Sequence, residues 1–254
     1  MRSHGHASVP YVGGVRDGTQ GHRPSQRYTT TMVVLLLCAA LWNCSYLLAP
    51  VIGPRLPADV SFVSELSADD QDGSWFFQIS DLFTGVLYIV VALGTRRYFP
   101  SAVLTRLAQG ALVLLGLCTL IDSRMPLDCV STIDAGCRYL EATEQVSFEH
   151  VAHTANGTIE TLCATVVLLG FGWSLRHRGR WARFGRLSLV CGVPYAVLSL
   201  ILALQYVLAI PGVGVSQRVS IVVFSAFLVI FAASLPGFGS VEQVSPATDV
   251  AGPR

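Results

Sequence analysis

His150, His153 and Glu160 are spaced so that an α-helix would carry them on one stripe. At 100° per residue, these three and Gly157 fall within an arc of about 80°. Two imidazoles and a carboxylate on one stripe suit three kinds of chemistry. Histidines at i and i+3 can supply two ligands to a zinc ion. Asp81 or Asp122 could add a third, and an open fourth position would hold an activated water. Alternatively, the same groups could bind a lipid or small ligand, or carry protons. In the plainest reading they pair across helix interfaces and only hold the protein together. The residues leave all three open. A second polar stripe, Asp81, Thr84, Gly85 and Tyr88, shares a face of another helical segment.

The segments that must position these groups are apolar. The chain has 254 residues, of which 52% are hydrophobic and 13% charged, and a mean hydropathy of +0.55. Soluble domains carry about 25% charged residues, so the surface of this chain requires an apolar solvent. Six apolar runs, at residues 30–52, 76–95, 103–121, 150–175, 187–210 and 218–238, are long enough for bilayer crossings of about 20 residues each. The expected fold is an all-α membrane protein, a six-transmembrane-helix bundle over residues 29–238. Residues 1–28 and 239–254 read as disordered cytoplasmic tails. Pro194 falls within the fifth run and would free a backbone carbonyl there.

Charge sets the expected orientation. All 17 basic residues are arginine, a bias of GC-rich bacterial coding. Arg96 and Arg97 follow the second run. Arg176, Arg178, Arg180, Arg183 and Arg186 follow the fourth, and Arg2, Arg16, Arg23 and Arg27 precede the first. The intervening segments are acidic, with Asp59, Glu65, Asp69, Asp70 and Asp72 in one and Asp128, Asp134, Glu141, Glu144 and Glu149 in the other. The positive-inside rule then predicts both termini inside, two long acidic loops outside, and a multi-pass protein of the bacterial inner membrane. In the first loop Phe62, Val63, Leu66, Trp75 and Phe76 should pack on the bundle. Arg218 breaks the arginine bias, and an anionic headgroup or an outer carboxylate is its expected partner.

An ionisable group inside a transmembrane helix costs about 2.5–3.5 kcal/mol on insertion scales, so both stripes should face inward. Asp81, Asp122, His150, His153 and Glu160 are the candidate lining of one polar pocket opening outward, with Asp122 at its rim near Arg124 or His150. His150 and His153 are the candidate zinc ligands. Cys129 and Cys137 share the second outer loop and should form a disulfide contributing about 2–3 kcal/mol; a zinc site is the rival. The other five of the seven cysteines lie in the apolar runs and read as packing residues. Asn156-Gly157-Thr158 matches the glycosylation pattern but lies within a helix.

Ser64-Glu65-Leu66-Ser67, Trp75-Phe76-Phe77 and Asp81-Leu82-Phe83-Thr84-Gly85 resemble the bacterial membrane family called domain of unknown function 998. So do Met125-Pro126-Leu127-Asp128-Cys129 and the following Ser147 and His150, and the resemblance spans about residues 30–238. It implies a six-helix bacterial membrane protein of unsettled activity. A remoter likeness is to ceramidase-like transmembrane hydrolases, in which Ser, Asp and three His surround zinc. Ser64, Asp81, His150 and His153 fit part of that pattern, and the third histidine is missing. The expected function is therefore binding of a lipid or small molecule in an outward pocket. The alternatives are a metal-dependent hydrolase of envelope lipids and a non-catalytic membrane scaffold. Membrane lipids are the expected partners, and nucleic acid is not.

Overall fold

Ser25 caps the first helix, its hydroxyl accepting from the Tyr28 amide at 3.2 Å. The structure, a computed structural model, describes residues 25–53 and 56–239. Helix α1 spans Gln26–Trp42, so residues 26–28 belong to a helix and not to the expected tail; residues 1–24 and 240–254 lie outside the described part. The run at 30–52 is not one helix. It breaks after Trp42 and continues as a 3-10 turn, Ser45–Leu48, and a short helix α2, Ala49–Ile52, bent by 50° from α1. At the break the Asn43 side chain donates to Ser225 Oγ at 2.8 Å on the last helix, and Pro50 stands in the first turn of α2, where a helix needs no amide.

The other long helices match the apolar runs to within a few residues. They are α3 Ser74–Thr95, α4 Val103–Asp122, α6 Phe148–Leu175, α7 Ala182–Val207 and α8 Val213–Gly239. An additional helix, α5 Ala135–Ala142, lies inside the second acidic loop. The described residues contain no strand. Among the described residues five helices are long and apolar enough to cross a membrane, or six where α1 and its bent continuation count as one span. Their outer faces carry residues such as Leu93, Leu107, Leu162 and Val190, each more than half exposed. Such a surface suits lipid rather than water.

The six spans form a closed ring. Each packs on the next in the chain, and α8 returns to α1. Glycines set some of these contacts. Gly85 on α3 and Gly116 on α4 meet so closely that a Cβ on either would stand 2.7 Å from the other's carbonyl oxygen.

The ring has two unlike halves. At the end bearing Arg96, Arg97 and Arg176 it is filled by rings. Phe99, from the α3–α4 connection, inserts between Phe171 of α6 (4.9 Å between centroids), Phe184 of α7 (5.9 Å) and Phe231 and Phe238 of α8 (5.5 and 5.4 Å). Side chains of this size dominate core energetics and make this end a solid floor. At the acidic-loop end the ring encloses space.

Candidate functional site

That space is a cavity of about 750 Å³. Its wall is mostly apolar, with polar side chains turned into it from several spans. Helix α3 contributes Asp81, Thr84 and Tyr88, and α4 contributes Thr119 and Asp122. Helix α6 contributes His153, Gly157 and Glu160, α7 contributes Tyr195 and Ser199, and α8 contributes Ser220. Trp42, Phe77 and Phe224 supply apolar surface between them.

The acidic loops form a roof, and buried polar bonds hold it. Glu65 is 1% exposed. Its carboxylate accepts from the Phe62 amide (2.8 Å), the Thr132 amide (2.9 Å) and the Thr132 hydroxyl (2.5 Å), so one side chain clips the first loop to the second. Burial pushes its carboxyl above the ordinary 4.5 despite these bonds, and nearby Glu141 adds to the rise. Arg218 donates to the Ala58 and Ser61 carbonyls at 2.8 and 2.7 Å, fixing the first loop to α8. Its hydrogen-bond acceptors are thus backbone oxygens, and the Glu65 and Asp59 carboxylates are close enough to act on its charge.

The second loop is tied to α6. Asp128 accepts from the Ser147 amide (2.7 Å) and hydroxyl (2.5 Å), while Ser147 caps the helix by accepting from the His150 amide. Burial alone would raise the Asp128 carboxyl. The two Ser147 bonds and the neighbouring His150 outweigh it and hold the group below its ordinary value. Cys129 and Cys137 are joined in a disulfide that closes the turn leading into α5. Cys38, Cys44, Cys118, Cys163 and Cys191 are free thiols.

Of the expected pocket residues, Asp81, Asp122, His153 and Glu160 line this one cavity. Asp122 is buried beneath the roof, not on the rim. Its Oδ1 accepts from Asn156 Nδ2 at 2.7 Å and lies 3.5 Å from His153 Nδ1. His153 Nδ1–H donates to the Met125 carbonyl at 2.8 Å, which leaves Nε2 as the acceptor of the neutral ring. Glu160 accepts from the Thr119 hydroxyl at 2.6 Å.

His150 does not share the cavity. Its Nδ1 accepts from the Asp128 amide at 3.1 Å, and its Nε2–H donates to Glu141 at 2.7 Å. Both nitrogens thus serve the roof, and the two histidines point at different partners. Among the described residues, no three His, Cys, Asp or Glu side chains are grouped to hold a metal ion.

A family model described as protein of unknown function (DUF998) matches residues 32–234. The chain belongs to this family. No curated protein and no solved structure matches it, and the remoter likeness to ceramidase-like hydrolases gains no support. The stretch matched by the DUF998 model runs from within α1 to within α8 and takes in both roof loops.

Three contributors to this DUF998 site escaped sequence reasoning. In sequence Glu65 belongs to an acidic loop and to the Ser64-Glu65-Leu66-Ser67 stretch of the family resemblance, and neither signals its bond to the second loop. Asn156 donates to Asp122 and to the Cys118 carbonyl at 2.8 Å, yet it had drawn notice only as a glycosylation pattern. Its position, three residues after His153 and four before Glu160, places it on the same stripe and was the available signal. Tyr195 reaches the cavity from α7, one residue after the proline that dominated the reading of that segment.

Proposed function

We propose that this protein is a multi-pass protein of the bacterial inner membrane that binds a small molecule or lipid in the cavity beneath its outer loops. The observation that carries this reading is a cavity of about 750 Å³ with Asp81, Asp122, His153 and Glu160 on one wall system. Ligand pockets range over about 300–1,000 Å³, and ionisable residues at membrane depth mark functional sites by default. A lipid hydrolase would need a metal triad or a paired nucleophile and base. His150, one of the two imidazoles on which that alternative rests, is committed to Asp128 and Glu141.

Gly157 provides the test. It lines the cavity, and a Cβ there meets no atom within 4 Å. Gly157→Trp should therefore fill the space without breaking the ring. Native mass spectrometry of protein extracted in mild detergent should show a bound molecule of defined mass on the wild type and none on Gly157→Trp. Membrane lipid extract added back should raise the unfolding temperature of the wild type alone. A wild type that carries nothing and does not respond to the extract rejects the reading.

A further inference from the structure

The cavity has a side wall that faces the membrane. Every buried residue of α7 lies between Phe184 and Tyr195; from there to Val207 the helix buries none. The close α6–α7 contacts follow the same division. A Cβ at Gly172 would strike Leu189, and one at Gly192 would meet Leu168 and Leu169, all on the arginine side of Tyr195. Pro194 sits at the boundary, where its missing amide withdraws a helical hydrogen bond. Beyond it, Leu162 of α6 and Leu200, Tyr206 and Val207 of α7 both line the cavity and are 57–76% exposed. On a transmembrane span that exposure is toward lipid, so the gap between the outer halves of α6 and α7 is a lateral portal.

The interior selects by charge. Asp81, Glu160 and Asp122 line it, and no arginine does among the described residues. Asp122 is held by Asn156 and lies beside His153. No hydrogen bond or ion pair from the described residues reaches the Asp81 carboxylate, which is open to the cavity. Two α-helical turns further along α3, Tyr88 is 2% exposed and its hydroxyl has no hydrogen-bond partner among the described residues. A buried polar atom without a partner is costly, and a carboxylate at membrane depth calls for a counter-charge. Both point to a guest that brings a cation and a hydrogen-bonding group to the same place.

Resting on the ligand-binding reading above, we propose that the occupant is a cationic amphiphile. Its ammonium head sits between Asp81 and Glu160 near the Tyr88 hydroxyl, and its alkyl tail lies in the α6–α7 portal. An anionic lipid headgroup would meet several carboxylates and no arginine, His153 being engaged by the Met125 carbonyl and lying beside Asp122.

Photoreactive long-chain probes that differ only in the head test this: an alkylamine, a fatty alcohol and a fatty acid. Each is applied to the full-length protein in zwitterionic nanodiscs, and labelled peptides are mapped by mass spectrometry. The amine should label the outer halves of α6 and α7, and excess non-photoreactive amine should suppress that labelling. The fatty acid should label lipid-facing helices without competition. Asp81→Asn, which removes a charge with no hydrogen bond or ion pair among the described residues, should weaken amine competition about tenfold or more, as expected for one half of a desolvated charge pair. Tyr88→Phe should weaken it less. Competed labelling by the fatty acid, or amine binding indifferent to Asp81→Asn, overturns the charge assignment and leaves the pocket standing. Labelling that no probe competes, or that persists unchanged in Gly157→Trp, overturns the pocket itself.

Discussion

Glu65 is a carboxylate that a membrane protein keeps almost wholly out of water in order to join two loops. Its three acceptor bonds satisfy the Phe62 amide and both polar groups of Thr132. Glu65→Ala would leave those part-buried donors without their acceptor, at about 1–3 kcal/mol for each one that water does not reach. We expect a loss of about 2–4 kcal/mol by thermal unfolding in detergent, with faster amide exchange over residues 127–134. The sign of the pH dependence follows from the raised carboxyl. The folded protein holds the Glu65 proton more tightly than the unfolded chain, so this group's contribution is complete below about the ordinary 4.5 and is lost as pH rises through the folded value. Glu65→Gln, permanently neutral, should flatten that part of the stability profile, and an unchanged slope would show that another group carries it. Asp128 behaves oppositely. Its contribution is present above the ordinary 3.8 and fades as pH falls through its lowered value. The difference between these two roof carboxylates is one of burial, which sequence does not display; both stand in acidic loops and in stretches of the family resemblance.

Among the helices, what periodicity and run length can express was legible, and what depends on a partner was not. The inward stripes of α3 and α6 were visible because insertion cost leaves polar groups no other direction. The break in the first span was not, because the partner that Asn43 meets there, Ser225, is far away in the chain. Helix α5 was missed because it has only 8 residues and is charged, so it lacks the apolar period of a span. The role of Gly116 was equally hidden, since a glycine in an apolar run does not reveal what it touches. Here it touches backbone, which cannot yield as a side-chain tip can. Gly116→Ala should therefore destabilise the protein by about 1–3 kcal/mol, the range for overpacking a tight contact. Gly110→Ala, on the same helix with no atom within 4 Å of its Cβ, should be neutral or stabilising by a few tenths of a kcal/mol, as removal of a flexible glycine predicts. Chemical or thermal unfolding of the two variants side by side checks this. Equal effects would mean that α3 and α4 can separate without loss.

For the molecule as a whole, the aromatic floor and the arginines share one end, and the cavity, the carboxylates and the disulfide share the other. Two independent physical arguments give these ends a direction. Arginine-rich connections stay on the cytoplasmic side because they resist translocation, which would put the floor inside. Disulfides persist in oxidising compartments, and Cys129–Cys137 is in the roof, which would put the roof outside. If the two disagreed, either the bridge would be reduced or the charge rule broken. We therefore expect fusions of a fluorescent protein at either terminus to fluoresce, and fusions of alkaline phosphatase near Asp70 and Asp134 to be active. The N-terminal fusion discriminates best, because only the bent first span separates it from Asp70. Were α1 and its continuation to dip in and return on one side instead of crossing, the N-terminus would lie on the same side as Asp70, and Asp134, two spans further on, would share that side. The chain would then cross five times, with its termini on opposite sides and the roof still whole. Opposite reports from the two loops would instead mean that α3 or α4 does not cross, which the Glu65–Thr132 clip forbids.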